Sequence, residues 1–279
     1  MNAAAAGGGR VKKSMQLISL LATSPREAID RIDTIAKSAL DAWRPHPYRY
    51  DEIGMAEAIR AISARYGCDV ESLAEERELD EISGAVATRM QALQQYCPFT
   101  VSHNGDISFA RMAYILIRAF RPLKVVETGT AYGVSSAFIL QALQENGEGV
   151  LHSVDLPPLG PDADRYVGYL VPPDLRSRWV LHRGSARRVL PRLLADIGPI
   201  QMFVHDSLHT YEHMLWEFQT AGASLAGQAC LLSDDIARNA AFQTWCDSAR
   251  PTMTYAVSGV GSFHRPSTEA GRVFGLATL

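Results

Sequence analysis

Val125-Val126-Glu127-Thr128-Gly129-Thr130-Ala131-Tyr132-Gly133-Val134-Ser135 joins a short β-branched run to a glycine-punctuated turn and the start of an apolar helical stretch. A run of this kind, bounded by glycine, reads as a strand buried on both faces of a parallel sheet. Gly129 and Gly133 let the backbone come close to a ligand, and the helix that follows offers free N–H groups to a carboxylate. Taken alone, the same residues also describe an ordinary strand-to-helix turn.

Working outward, apolar runs at about 124–128, 150–155, 178–182, 201–206 and 229–234 alternate with helical patterns at about 134–145, 185–196, 210–224 and 237–248. That alternation predicts an α/β, Rossmann-like parallel sheet. The runs 253–258 and 272–276 follow one another without a helical crossover and should pair antiparallel, which gives seven strands in all. Upstream the pattern is helical: Ala28, Ile29, Ile32, Ile35 and Ala36 recur at helical spacing after Ser24-Pro25, and Ile82, Val86, Met90 and Leu93 do so later. Pro45, Pro47, Tyr48 and Tyr50 interrupt this region as a loop, and Cys97-Pro98-Phe99 ends it. The expected organisation is therefore a disordered, low-complexity 1–14, a helical region 15–98 and an α/β domain 99–279. The proline-rich stretch 157–173 is too long for a usual strand-to-helix link and suits a lid or substrate loop.

Ligands on such a sheet bind beyond the carboxyl ends of the strands, so residues there are the candidates. Glu127 closes the first strand and Gly129, Thr130, Ala131, Tyr132 and Gly133 form the turn. Asp155 closes the second strand, where a carboxylate can accept both hydroxyls of a ribose. Adenosine carrying a methionine sulfonium fits this pair of features. A dinucleotide fits less well, because its pyrophosphate calls for Gly-x-Gly-x-x-Gly rather than Gly-x-x-x-Gly.

The fourth and fifth strands end on Phe203-Val204-His205-Asp206-Ser207-Leu208-His209-Thr210-Tyr211-Glu212-His213 and Leu231-Leu232-Ser233-Asp234-Asp235. Asp206, Asp234 and Asp235 would repel one another in a cleft unless a cation or protons compensate, and an all-oxygen set selects a hard divalent ion such as magnesium. Asp206 and Asp235 could instead cap the helices that follow them. His209 is the candidate general base, since a neutral imidazole can take the proton of an acceptor hydroxyl. His205 should point away from Asp206 by strand alternation and be buried.

Glu127 to Ser135 resembles the Glu-x-Gly-x-x-x-Gly-x-Ser pattern of catechol-type O-methyltransferases, and five alternating strands with a terminal hairpin is the inventory of the class I S-adenosylmethionine-dependent methyltransferase fold. The resemblance implies that Ser135 binds the methionine carboxylate, that Ser185 and Ala186 contact adenine, and that Asp206, Asp234 and Asp235 hold Mg2+; Ser185 would equally suit a helix N-cap. Asp206 with His209, Thr210, Tyr211 and Glu212 also resembles a signature of bacterial enzymes related to macrolide-sugar O-methyltransferases and to a protein long labelled cephalosporin hydroxylase. That likeness implies methylation of a hydroxyl on a natural product or sugar. It also implies that the N-terminal helices cover the acceptor or join copies into a homo-oligomer. A silent S-adenosylmethionine-binding scaffold and an NAD(P)-dependent oxidoreductase are the alternatives.

A formal charge of -3 without a long basic run disfavours nucleic acid and anionic membranes, leaving a small molecule as the expected partner, which the resemblance makes a hydroxylated one. Cys68, Cys97, Cys230 and Cys246 lack zinc-site or disulfide-scaffold spacing, which suits the cytoplasm. The apolar stretch 15–22 is too short and too polar for a convincing signal peptide, and no segment is long enough to span a bilayer.

Overall fold

The computed structural model describes residues 15–93, 96–100, 106–160, 162–259 and 272–279. The segment 1–14, expected to be disordered, lies outside them. In chain order the helices are α1 (15–23), α2 (Pro25–Asp41), α3 (Met55–Tyr66), α4 (Val70–Ala74), α5 (Arg77–Leu93), α6 (Ile107–Phe120), α7 (Val134–Asn146), α8 (Ala163–Tyr166), α9 (Ala186–Ile197), α10 (Tyr211–Gly222) and α11 (Ala241–Ala249). The strands are β1 (Glu52–Gly54), β2 (Lys124–Thr128), β3 (Val150–Asp155), β4 (Trp179–Arg183), β5 (Ile200–His205), β6 (Leu225–Ser233), β7 (Met253–Ser258) and β8 (Val273–Thr278).

They form one sheet in the order β1-β7-β8-β6-β5-β2-β3-β4. β2 to β6 are mutually parallel, and β8 runs antiparallel between β6 and β7. Four of the five β2 residues are buried, as expected of a strand covered on both faces. One cover contains α5, α6 and α7; the other contains α9, α10 and α11. Ile62, Leu79, Ile82, Val86 and Met90 of α3 and α5 share the core of α6 and α7, so these helices are integral to one layer of the domain. Among the described residues, no helix is long and apolar enough to cross a membrane.

The expected seven strands become eight. Glu52-Ile53-Gly54, inside the region read as wholly helical, pairs parallel with Ala256, Val257 and Ser258 at the far edge of the sheet. Three residues carry no detectable period, and their strand character comes from the partner's open edge.

Chain direction across the sheet reverses between β2 and β5, the switch point at which α/β sheets open a crevice. The Asp206 N–H donates to the Thr128 carbonyl at 2.8 Å and clamps the two strand ends together. Gly129, at φ +85°, sits so close that a Cβ would lie 2.1 Å from the Asp206 carbonyl oxygen. Both the left-handed backbone and the clash forbid a side chain there. Gly129→Ala is therefore expected to lower stability by about 3 kcal/mol, read by thermal or urea denaturation.

Candidate active site

The turn after β2 rests on a buried acid. Glu127 is fully buried and accepts hydroxyl hydrogen bonds from Ser135 and Ser136 at 2.6 Å and from Ser153 at 2.7 Å. Burial raises its carboxyl above the usual range and the three hydroxyls oppose that shift. The proton of Ser135 is thus directed into the protein, and a ligand carboxylate would meet the first turn of α7, which has no side-chain cap. Tyr132 is buried with its ring stacked on Phe99 at 3.9 Å, so only its backbone belongs to the turn. Gly133, at φ +89°, has Gly168 of the 157–173 segment against it, and that segment is laced to the turn by Gly168 N–H to Ala131 O and Leu170 N–H to Tyr132 O.

At the end of β3, one carboxylate oxygen of Asp155 accepts the Thr130 N–H at 3.2 Å. The other oxygen is buried without a partner, as is the Thr130 hydroxyl oxygen. Burial pushes the Asp155 carboxyl up to about 6, with the Thr130 N–H acting against it. Leaving a buried acceptor unsatisfied costs on the order of 1–3 kcal/mol, so paired orphans at the ends of two neighbouring strands mark a place for a polar ligand.

The polar side of α2 crosses this mouth. Arg31 donates to the Pro157 carbonyl at 2.7 Å, Arg183 pairs with Glu27 at 2.7 Å, and Arg188 pairs with Asp30. The Ser185 hydroxyl donates to Asp30 at 2.6 Å and makes no cap bond to α9, while Ala186 is buried at the helix start. At the other end of α2, Asp41 accepts the Tyr211 N–H at 2.9 Å, and His46 stacks on the Tyr211 ring at 3.9 Å. Lys37, Leu40, Asp41, Arg44, His46, Thr210 and Glu212 line a small crevice there. The contribution of Glu27, Asp30, Arg31 and Asp41 was absent from the sequence reading, although their helical spacing put them on one face.

Beyond β5 and β6 the structure brings Asp206, His209 and Asp234 together, with one donor atom from each all within 4.8 Å of one another. His209 Nε2 stands 3.9 Å from Asp206 Oδ1 and is buried without a hydrogen-bond partner. Both carboxylate oxygens of Asp234 are likewise buried without one, the Arg272 guanidinium being 3.6 Å away. Asp235, expected beside Asp206 and Asp234, has a left-handed backbone and turns its carboxylate to Arg238 at 2.8 Å, so His209 takes its place in the trio. Neither Asp206 nor Asp235 caps a helix: α10 starts at Thr210 without a side-chain cap, and Asp235 precedes a short 3-10 turn with none.

The electrostatics match an acid cluster short of positive charge. Burial, then Asp234 and Asp235, drive the Asp206 carboxyl well above its usual range. Burial and Asp235 push Asp234 up to about 7, whereas His209, Arg238 and Arg272 overcome burial to hold Asp235 low. Burial and neighbouring His205 lower His209 to about 3, so its imidazole is neutral with a lone pair free to coordinate.

Beneath the trio lies Glu217 of α10, fully buried. It meets His205 Nδ1 at 2.6 Å and His213 Nε2 at 2.9 Å, and accepts the hydroxyls of Thr128 at 2.5 Å and Ser207 at 2.9 Å. Its carboxyl is held far below the usual range because the two histidines and their hydrogen bonds outweigh a large burial penalty. His205 is fully buried, as alternation predicted, and its ring stands edge-on to His209 at 5.3 Å. The only sequence signal for Glu217 is its place one helical turn after His213.

A switch-point crevice with a glycine turn, an acid after β3 and polar groups after β5 and β6 is the arrangement by which a Rossmann-like α/β domain takes a nucleotide-like ligand at its strand ends. Consistently, a family model described as a methyltransferase domain matches residues 126–236. No curated protein sequence matches the chain. Among solved structures, the fold is shared with the O-methyltransferase TomG of Streptomyces achromogenes, involved in tomaymycin synthesis and solved with S-adenosylmethionine. That likeness has TM-score 0.55 and 18% identity over 70% of this chain and 89% of that one. An O-methyltransferase from Bacillus cereus, solved with S-adenosylhomocysteine, gives TM-score 0.55 and 13% identity over 70% and 90%. A putative O-methyltransferase from Klebsiella pneumoniae gives 0.50 and 14% over 72% and 89%.

Proposed function

We propose that this chain transfers the methyl group of S-adenosylmethionine to a hydroxyl of a small molecule, a natural product or a sugar, with a divalent cation held by Asp206, His209 and Asp234. The observation that carries the reading is the convergence of buried, partnerless donor atoms on the switch-point crevice: Thr130 Oγ1 and Asp155 Oδ2 on one side, His209 Nε2 and both Asp234 oxygens on the other. The three structural neighbours named above, two described as O-methyltransferases and one as a putative O-methyltransferase, support the choice of oxygen as acceptor.

In this reading Asp155 accepts the ribose hydroxyls, the Gly129–Gly133 turn follows the methionine portion, and α7 presents its first-turn N–H groups to the carboxylate. Asp206, His209 and Asp234 supply two carboxylates and a neutral imidazole, a donor set that suits magnesium or manganese and extends to softer ions through the nitrogen. A divalent cation held by these three residues would supply positive charge that lowers the pKa of an acceptor hydroxyl. The acceptor oxygen forms the new C–O bond as the sulfur–methyl bond breaks, leaving a neutral thioether, and the acceptor proton passes to water. Within the trio His209 acts as a donor; at a pKa of about 3 it would be a weak base. Glu217 fixes the floor, and Glu27, Asp30 and Arg31 close the adenosine side.

Two measurements test this. S-adenosylhomocysteine should bind in a calorimetric titration where NAD(H) does not, and a panel of hydroxylated acceptors should yield a product heavier by one methylene in a chelator-sensitive manner. Binding without any such product would leave the scaffold reading in its place. Asp155→Ala should weaken S-adenosylhomocysteine binding about 10- to 100-fold, the worth of hydrogen bonds to a charged acceptor, with thermal stability little changed.

A further inference from the structure

Helix α2 is amphipathic in the inverted sense. Its polar positions, among them Glu27, Asp30, Arg31 and Asp41, face the protein together with the small Ala28, and its large apolar positions face outward. Ile29 is 62% exposed, Ile35 60% and Leu40 57%, and Trp43 in the turn after the helix is 87% exposed; Ile32, Ala36 and Ala39 are exposed on the same side. A surface helix ordinarily buries that stripe, and isolated apolar side chains need no explanation, but a continuous stripe does.

The stripe has a symmetry of its own. Counted from Ala36, four residues back is Ile32 and four forward is Leu40; seven back is Ile29 and seven forward is Trp43. Two such helices laid antiparallel about Ala36 would set Ile32 against Leu40 and Ile29 against Trp43, twice, with small Ala36 at the crossing where the backbones come nearest. This is the self-complementarity that a two-fold interface requires. The seven-residue rhythm of paired helices also runs back through Ala22, Ile18 and Met15 of α1, all exposed. From these exposures the α2 stripe amounts to roughly 600 Å² per protomer, and a pair would hide about 1,200 Å², the lower limit of a stable interface before α1 adds to it. A lipid surface suits the stripe less, because the polar side of α2 is not basic and the chain carries net charge -3.

We infer that the occupant of this face is a second copy of the chain, bound as a two-fold dimer through antiparallel α2 helices crossing at Ala36.

Sedimentation of the full chain at micromolar concentration should show a dimer. Ile32→Glu, which would place two unpaired carboxylates in the seam, should weaken the dimer at least a hundredfold while circular dichroism and thermal stability of the protomer stay unchanged. Under mild oxidation Ala36→Cys should give a disulfide-linked dimer much faster than the parent chain or than Ser38→Cys, which lies off the stripe. A monomeric parent chain, including one that binds vesicles instead, would overturn the inference. So would a dimer insensitive to Ile32→Glu, or one in which Ala36→Cys cross-links no faster than Ser38→Cys.

Discussion

Asp234→Asn is expected to reduce turnover by about a thousandfold while S-adenosylhomocysteine still binds, because the change removes a donor aimed at the acceptor side and leaves the Asp155 side intact. The same substitution should not destabilise the protein. In the absence of metal, burial and Asp235 raise the Asp234 carboxyl from 3.8 to about 7, so the folded state holds a proton that the unfolded chain releases at lower pH. Stability contributed by this group is therefore present below pH 4 and declines as the pH rises towards 7. An amide escapes that decline, and the metal-free variant should gain on the parent across the same interval. Paired denaturation curves in chelator at pH 5 and pH 8 measure the difference. A variant that is inactive and also markedly less stable would point to a structural role for Asp234, and an active one would remove it from the mechanism. Stability given up where function concentrates charge is the general pattern of active sites.

Glu217→Gln should have the opposite signature. Its carboxylate lies in full burial against two imidazoles and two hydroxyls, and an amide can accept from only part of that set. Replacing one partner of a buried charged network costs about 3–5 kcal/mol, which in a protein of this size lowers Tm by on the order of 10 °C. The folded pKa is depressed, so the stabilisation is complete above the ordinary value of 4.5 and fades as the pH falls below it. The gap in stability between parent and variant should accordingly narrow on acidification past pH 4.5. Because Thr128, His205 and Ser207 hang the ends of β2 and β5 on this one side chain, activity should fall as well, with the loss divided between S-adenosylhomocysteine affinity and turnover. A gap that stays constant with pH would mean that Glu217 is not charged in the fold.

The contrast between these residues explains how far the sequence could be read. Strands β2, β3, β5 and β6 were legible because strands covered on both faces must be unbroken apolar runs, and their ends were legible because a ligand crevice has to lie there. The structure places Asp155, Asp206, His209 and Asp234 at those strand ends and brings the last three together, with His209, expected as a general base, standing where Asp235 was expected. What is settled by tertiary contact was not legible. Asp235 is adjacent to Asp234 in sequence, but a left-handed backbone sends it to Arg238, and His209 fills the place. The bond from the Ser135 hydroxyl to Glu127, residues eight apart, likewise has no signature in the sequence. The helical period of α2 was plain, yet period alone does not tell which side faces in, and here the charged side does. β1 has no period at all and exists through its neighbour.

That neighbour has a bearing on how the chain reaches its native state. The Ser258 hydroxyl donates to Glu52 across 206 residues of sequence, and among the described residues β1 has its strand partner only in β7. The edge strand β1 must wait for the residues up to Ser258, 206 positions further on, before it can dock, so closure of this edge of the sheet is a late event of folding. Separations of this length slow the search and prolong the exposure of unpaired edges to aggregation. A form of the chain broken off before β7 would leave β1 without the partner edge that gives it strand structure.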